Sequence, residues 1–367
     1  MQIKPIIIAF LCSTAIISCS KDEVQELESI TTKSGGSISK VSFSRYGLAD
    51  MLYFPNMETF YQTQMDLEEQ VENHDDAFVE QNNNLNEDDL IDEEESSGFD
   101  DEKPLTEFEN SFSFHSLRVH LIQLEHIWLD QFGVNDSFDV SDSPYNHFIF
   151  DEEQRAMLNI DAQANIGKYL IQFTRFGYIQ VPVYEMELFL DVVNDPSSTN
   201  TNWMENENVV VVGGYYGAPQ NYANGTDDNN NDPVTLTEEC FADIDNDGQI
   251  VYTDNRKVSW RHQLKCNYIV VKAKAKTRGF KHKRGKWRCR RLNIYAEVDG
   301  DVSSTEHEEC SVYKDLEDVR TGKKRRVKAK DEEIHSSGDI IKFKAIRFQS
   351  KSIHGWSVNR TDRIMLQ

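Results

Sequence analysis

The run Asn267–Thr277, NYIVVKAKAKT, sets the reading of the C-terminal third. Lys272, Lys274 and Lys276 alternate with Ala273 and Ala275, and a period of two places the lysines on one face of a strand and the alanines on the other. Outward from this run, QIVYT, KWRCRRLNIYAEV, DIIKFKAIRF and HGWSVNRTDRIML show the same alternation, or enrichment in branched and aromatic residues. Roughly six or seven strands are expected across residues 234–367, which predicts an all-β C-terminal domain, a β-sandwich with an immunoglobulin-like arrangement among its options. No internal repeat is visible.

The preceding residues have another texture. Asn56 follows Pro55 and is placed to cap a helix that starts at Met57. This helix is expected to dissolve into an acidic insert over about residues 66–110, which contains EDDLIDEEESSGFDDE and has too little apolar surface to order itself. From Ser116, the residues Leu117, Leu121, Leu124, Trp128 and Phe132 predict the apolar face of a helix. DEEQRAMLN reads as a short helix, KYLIQFTRFGYIQV as two strands around Arg175–Gly177, and VYEMELFLDVV as a helix. Residues 41–193 therefore form an α+β region. Residues 194–233, rich in Asn, Asp, Ser and Gly, form a linker with one strand at NVVVVGG.

Charge is strongly segregated. The net charge is −24, yet Arg256 to Arg291 holds fifteen Lys or Arg residues and no Asp or Glu. A second basic cluster, RTGKKRRVKAK, spans Arg320 to Lys330. Interleaved aromatics make this surface suited to a polyanion, with a glycan favoured over nucleic acid, and Lys272, Lys274, Lys276, Lys281, Arg284 and Trp287 are the candidate contacts. The alternative is that the basic face meets the chain's own acidic segment. The fragment GFKHKRGK fails as a phosphate loop, because its glycine spacing is one too long and Trp287 stands where Ser or Thr belongs.

The stretch DIDNDGQIVYTD, Asp243 to Asp254, has the spacing of a calcium loop. Asp243, Asp245, Asp247, Gln249 and Asp254 take ligand positions and Gly248 the turn position. Val251 offers no side-chain oxygen at the ninth place, and the strand-like flanks leave a hairpin turn as the competing reading. Cys240, Cys266, Cys289 and Cys310 are an even set without CxxC spacing, which in an exported chain points to two structural disulfides. No GxSxG, HExxH or strand-borne GxGxxG is present.

The leader MQIKPIIIAFLCSTAIISC has one early lysine and an apolar run from Ile6 to Ile17, too short for a membrane span and laid out as an export signal over residues 1–18. Its end, Ile16-Ile17-Ser18-Cys19, resembles a bacterial lipobox, which implies a lipidated Cys19 and a flexible tether over residues 19–40. The following SKDE resembles the surface-export signal of Bacteroidota lipoproteins. With MLYF, SFHSLR and the IGKYLIQ…GYIQV hairpin, the chain resembles a group of Bacteroidota surface lipoproteins with no assigned activity. The resemblance implies an outer-membrane address facing the exterior. The function expected is a binding or adhesion module for an anionic ligand. A hydrolase of a surface polymer and a structural part of a surface complex are the rival classes, and oligomeric state is left open.

Overall fold

The computed structural model describes residues 27–31, 37–133, 139–174, 177–195, 203, 206–213, 244–253, 255–266, 270–283, 285–304, 312–334, 343–354 and 361–362. The export signal and Cys19 lie outside them. The N-terminal region is built on a seven-stranded sheet: β1 (Leu27–Thr31), β2 (Ser37–Val41), β3 (Met51–Phe54), β4 (Gln163–Ile166), β5 (Tyr169–Thr174), β6 (Gly177–Pro182) and β7 (Val210–Gly213), neighbours in chain order. Strands β1 and β2 fall within the expected tether, and Ile38 is a core residue. In SISKV, Ile38 and Val41 fall on opposite faces of the strand and are each buried in a different core cluster, which a solvated tether does not allow.

Strands β3 and β4 are parallel, in the register Tyr53↔Asn165 and Phe54↔Ile166. Parallel neighbours need a long crossover, and here it is a whole helical layer: α1 (Met57–Gln81), α2 (Glu87–Ser97), α3 (Lys103–Ser111), α4 (Leu117–Phe132) and α5 (Glu152–Met157). The Asn56 side chain accepts a hydrogen bond from the Thr59 amide at 2.7 Å and starts α1. The acidic segment expected to be disordered is helical, with Leu67, Phe78, Leu90, Ile91 and Leu105 buried. Its apolar residues are sparse but aligned, and its carboxylates find cations elsewhere in the chain.

Phe60 carries the join between helices and sheet. Its ring stacks on Phe173 at 5.6 Å and meets Phe54 edge-on at 5.1 Å. Leu170 and Ile171, consecutive on β5, belong to different clusters, as opposite faces of one strand require. The second cluster takes in Met51, Ile179, Trp203 and Phe189 of α6 (Met186–Asn194).

Two antiparallel sheets make up the C-terminal region. One holds β8 (Ile244–Thr253), β9 (Arg256–Cys266), β10 (Val270–Lys283) and β11 (Lys286–Cys289), with β14 (Arg326–Ile334) also paired to β10. The other runs β13 (Val312–Lys324), β12 (Leu292–Ser304), β15 (Phe343–His354), β16 (Thr361–Asp362). The small-residue face of β10 meets β12: the Thr277 hydroxyl donates to the Tyr295 carbonyl at 2.8 Å. At Gly279 a Cβ would come within 2.8 Å of the Arg290 carbonyl oxygen and the Leu292 side chain. The lysine face of β10 points the other way, toward the helices.

Candidate functional site

The register between β10 and β14 brings like charges together: Lys274 opposite Lys330, Lys276 opposite Lys328, and Arg278 opposite Arg326. Such cross-strand pairs repel. The helical layer supplies the compensation. Asp151, Glu152 and Glu153 stand at the N-terminus of α5, where the helix dipole favours negative charge. Asp151 bonds Lys274 and also reaches Lys328 at 3.3 Å. Glu152 bonds Lys276 and lies 3.3 Å from Arg326, while Glu153 takes Lys328 at 3.0 Å. Glu68 of α1 bridges Lys328, at 2.9 Å, and Lys330.

The same pairing continues along β10. Arg278 makes a two-pronged contact to Glu125 of α4, at 2.9 and 2.7 Å. Beyond it, Arg291 holds Glu94 at 2.7 Å and Asp75 at 2.5 Å while its guanidinium stacks near Phe78 and Phe99. Burial works against the Glu152 and Glu125 carboxylates, but the cations around each hold both below the ordinary range. For Glu153 burial prevails, with help from Glu152 and Glu68, and its carboxyl is pushed up despite Lys328. Burial drives Lys276 down to about 7, with Glu152 opposing and Arg155, Arg326 and Arg278 adding to the drop.

The expected ligand contacts therefore sit differently from an open basic face. Lys274 and Lys276 are buried and ion-paired, Lys281 bonds Asp88 of α2, and Trp287 is packed with Leu129, Val140 and Phe280 under the Lys257 ammonium. Lys272 pairs through its backbone opposite Glu332. Its side chain and all of Arg284 lie outside the described residues. The chain's own carboxylates have taken the partners that an external polyanion would need.

The aspartate-rich stretch is likewise not looped. Ile244–Thr253 is strand β8, with Asp245 opposite Gln263, Asp247 opposite Arg261 and Gln249 opposite Ser259 on β9. An extended backbone sets alternate residues about 7 Å apart along a line, and such a row does not wrap one calcium ion as a twelve-residue loop does. Asp243 and Asp254 lie outside the described residues. Among the described residues no group of three or more His, Cys, Asp or Glu is arranged to hold a metal ion. Cys289 is a free thiol, with Sγ 3.8 Å from the Arg325 carbonyl, so its expected role in a disulfide is corrected. Burial raises its pKa. Cys240, Cys310 and the side chain of Cys266 lie outside the described residues.

A cavity of about 700 Å³ opens between α3, α4 and the basic sheet. Six arginines line it: Arg118, Arg278, Arg288, Arg290, Arg325 and Arg326. Asp100, Glu102, Glu109 and Glu125 line it with them, and Asp130, Glu95, Glu94, Asp101 and Glu152 from outside the lining pair with Arg288, Arg290, Arg325 and Arg326. Deep in the cavity Arg118 is saturated by Glu109, by Glu102 at 2.8 Å and by Thr106 at 3.1 Å. At the rim, Arg288 and Arg290 reach out to Asp130 of α4, at 2.6 Å, and Glu95 of α2, at 3.0 Å. The Nε groups of Arg278, Arg290, Arg325 and Arg326 are buried without a hydrogen-bond partner.

Sequence reasoning missed this cavity because its parts come from four separate segments. One signal was present. The buried face of α4 is Leu117, Leu121, Glu125 and Leu129, whereas Leu124 and Phe132, expected on the apolar face, are exposed. The stripe is turned by one residue, since Glu125 must face Arg278. A carboxylate in the middle of an i, i+4 apolar row is the mark of a buried cation opposite.

No family model matches the chain, and no curated protein matches it. Among solved structures, it is similar to a DUF4848 family protein from Bacteroides thetaiotaomicron, at 9% identity over 83% of this chain and 92% of that one, with a TM-score of 0.20.

Proposed function

We propose that this protein is a lipid-anchored module of the outer cell surface that captures an anionic ligand, of glycan rather than nucleic-acid type, in the arginine-lined cavity. The observation that carries the reading is the convergence of six arginines on four carboxylates around about 700 Å³. Guanidinium groups are suited to planar, two-pronged recognition of oxyanions, and the volume is that of a small-molecule site. The two C-terminal sheets then act as a β-sandwich whose Ala273, Ala275 and Thr277 face the second sheet and whose charged face supports the cavity. Cys19 is the anchor point, a reading supported by the lipobox-like Ile16-Ile17-Ser18-Cys19.

Calorimetric titration of the full chain with polygalacturonate and heparin tests the capture. Binding should weaken at least about tenfold in the double variant Arg288→Gln/Arg290→Gln, since hydrogen bonds to charged groups are the strong ones. Unchanged affinity in that variant overturns the reading. Fractionation tests the address: Cys19→Ala should leave the membrane fraction, and its retention there would refute lipidation at that residue.

A further inference from the structure

We infer that Lys276 is a covalent site, an amine that condenses to an imine with a small aldehyde or ketone. The carbonyl compound enters by a second cavity, bounded by α1, α5, β13 and β14. This goes beyond anion capture and does not depend on it.

The second cavity has a volume of about 220 Å³. Its lining includes exposed Glu72, Asp76 and Arg320 together with buried Lys276, Glu152 and Glu153, so one space joins solvent to the lysine. The backbone of Lys276 is paired on both sides, opposite Arg261 of β9 and Lys328 of β14. What it offers the cavity is therefore its side chain. Its Nζ donates to Glu152 and lies 3.4 Å from the Phe150 carbonyl oxygen. The rings of Tyr145 and Phe150 are each 5.4 Å from the same nitrogen.

Lysine is a nucleophile only as the neutral amine, and desolvation beside other cations is one way to obtain it. Burial, with Arg155, Arg326 and Arg278 adding to it, holds Lys276 at about 7 against the pull of Glu152. About half of the molecules then carry the free amine at neutral pH, against well under about 1% for an ordinary lysine near 10.4. Glu152, kept ionised by the surrounding cations, is the base at hand.

The condensation balances within this pair. The ammonium passes one proton to Glu152, and the nitrogen lone pair forms a bond to the carbonyl carbon while the C=O π pair moves to oxygen. Glu152 returns its proton to that oxygen, then carries a second proton from nitrogen to it. The C–O bond breaks, water leaves, and the nitrogen lone pair completes the C=N bond. Ammonium and carbonyl have become iminium and water, so the positive charge facing Glu152 is kept and the buried ion pair is not left half-empty.

Other charges of the lining are spent on one another. Lys324 meets Asp76 at 2.7 Å, Arg325 meets Asp101 at 3.0 Å and Lys328 meets Glu153 at 3.0 Å. An uncharged carbonyl compound leaves these pairs intact, and propanal is a probe of that kind.

The test is reductive trapping on the full chain. Propanal, at less than one equivalent, is added with sodium cyanoborohydride at pH 7, and the adducts are located by peptide mapping. The propyl group should appear on Lys276 at least about tenfold faster than on exposed Lys103 and Lys286. The preference should shrink at pH 9, where ordinary lysines gain free amine, and vanish in concentrated urea, where the burial is gone. Both comparisons use the unsubstituted protein, so neither depends on a variant that folds. No adduct at Lys276, adducts on Lys103 and Lys286 ahead of it, or a preference that survives urea each overturn the inference. None of these results touches anion capture in the arginine-lined cavity, and failure of polygalacturonate and heparin to bind would not touch Lys276.

Discussion

Replacing Glu125 by Gln tests the principle on which the helices sit on the sheet. Arg278 and Glu125 are 5% and 7% exposed as side chains and meet through two hydrogen bonds at 2.9 and 2.7 Å. The Ser143 hydroxyl adds a third contact to the same carboxylate. The amide of Gln keeps one acceptor but turns an N–H donor toward the guanidinium. A charge-assisted bond of about 1.5–3 kcal/mol is lost, and the Arg278 charge remains buried without compensation, so the total expected is about 3–5 kcal/mol. Arg278→Met should cost a similar amount for the mirror reason. The double variant Glu125→Met/Arg278→Met removes both charges and should be more stable than either single variant, because well-packed apolar replacements of a buried pair approach neutrality. Urea unfolding of the unsubstituted protein, Glu125→Gln, Glu125→Met, Arg278→Met and the double variant, followed by tryptophan fluorescence, measures the coupling. A loss in Glu125→Gln below about 0.5 kcal/mol, or simple additivity in the double variant, would refute the view that this pair is a buried, mutually dependent contact.

Stability should also fall between pH 7 and pH 5. Burial holds His262 down to about 3 in the folded chain against 6.5 in the unfolded one, so only the unfolded state takes up its proton in that window. The difference is worth about 2 kcal/mol at pH 5. His262→Leu should flatten the slope over this range in urea midpoints, and an unchanged slope would count against it. His147, lowered to about 3 by burial and by Arg155 and Arg261, acts in the same direction, and below about pH 4.5 the depressed Glu125 and Glu152 add to the loss. Gly279→Ala should destabilise by about 1–3 kcal/mol through overpacking against the Arg290 carbonyl and Leu292, read as a lower thermal midpoint. Asn56→Ala should cost about 1 kcal/mol by removing the cap on α1, and an unaltered unfolding midpoint would show that the cap is not used.

Local pattern by itself determined a good part of this protein. The alternation in VVKAKAKT placed three lysines on one face of a strand, Asn56 marked the start of α1, and KYLIQFTRFGYIQV read as the paired strands β5 and β6. Each is a short-range signal, set by backbone period or by a cap within a few residues. The segregation of charge was equally plain, and so were the two ways of reading it: a face open to a foreign polyanion, or a face meeting the chain's own acids.

Only the tertiary structure decided between them for Lys274, Lys276 and Lys281. Their carboxylate partners Asp151, Glu152 and Asp88 are more than a hundred residues away, and no local pattern reports which distant charge a strand face will meet. The same distance explains why EDDLIDEEESS looked too polar to fold: its carboxylates become helix-stabilising only once Arg256, Lys281, Lys283, Arg290 and Arg291 are brought against them. It also explains why DIDNDGQIVYTD resembled a calcium loop. Ligand spacing is a property of sequence, but pairing with β9 draws these residues into an extended line, and a metal site is decided by where oxygens converge in space.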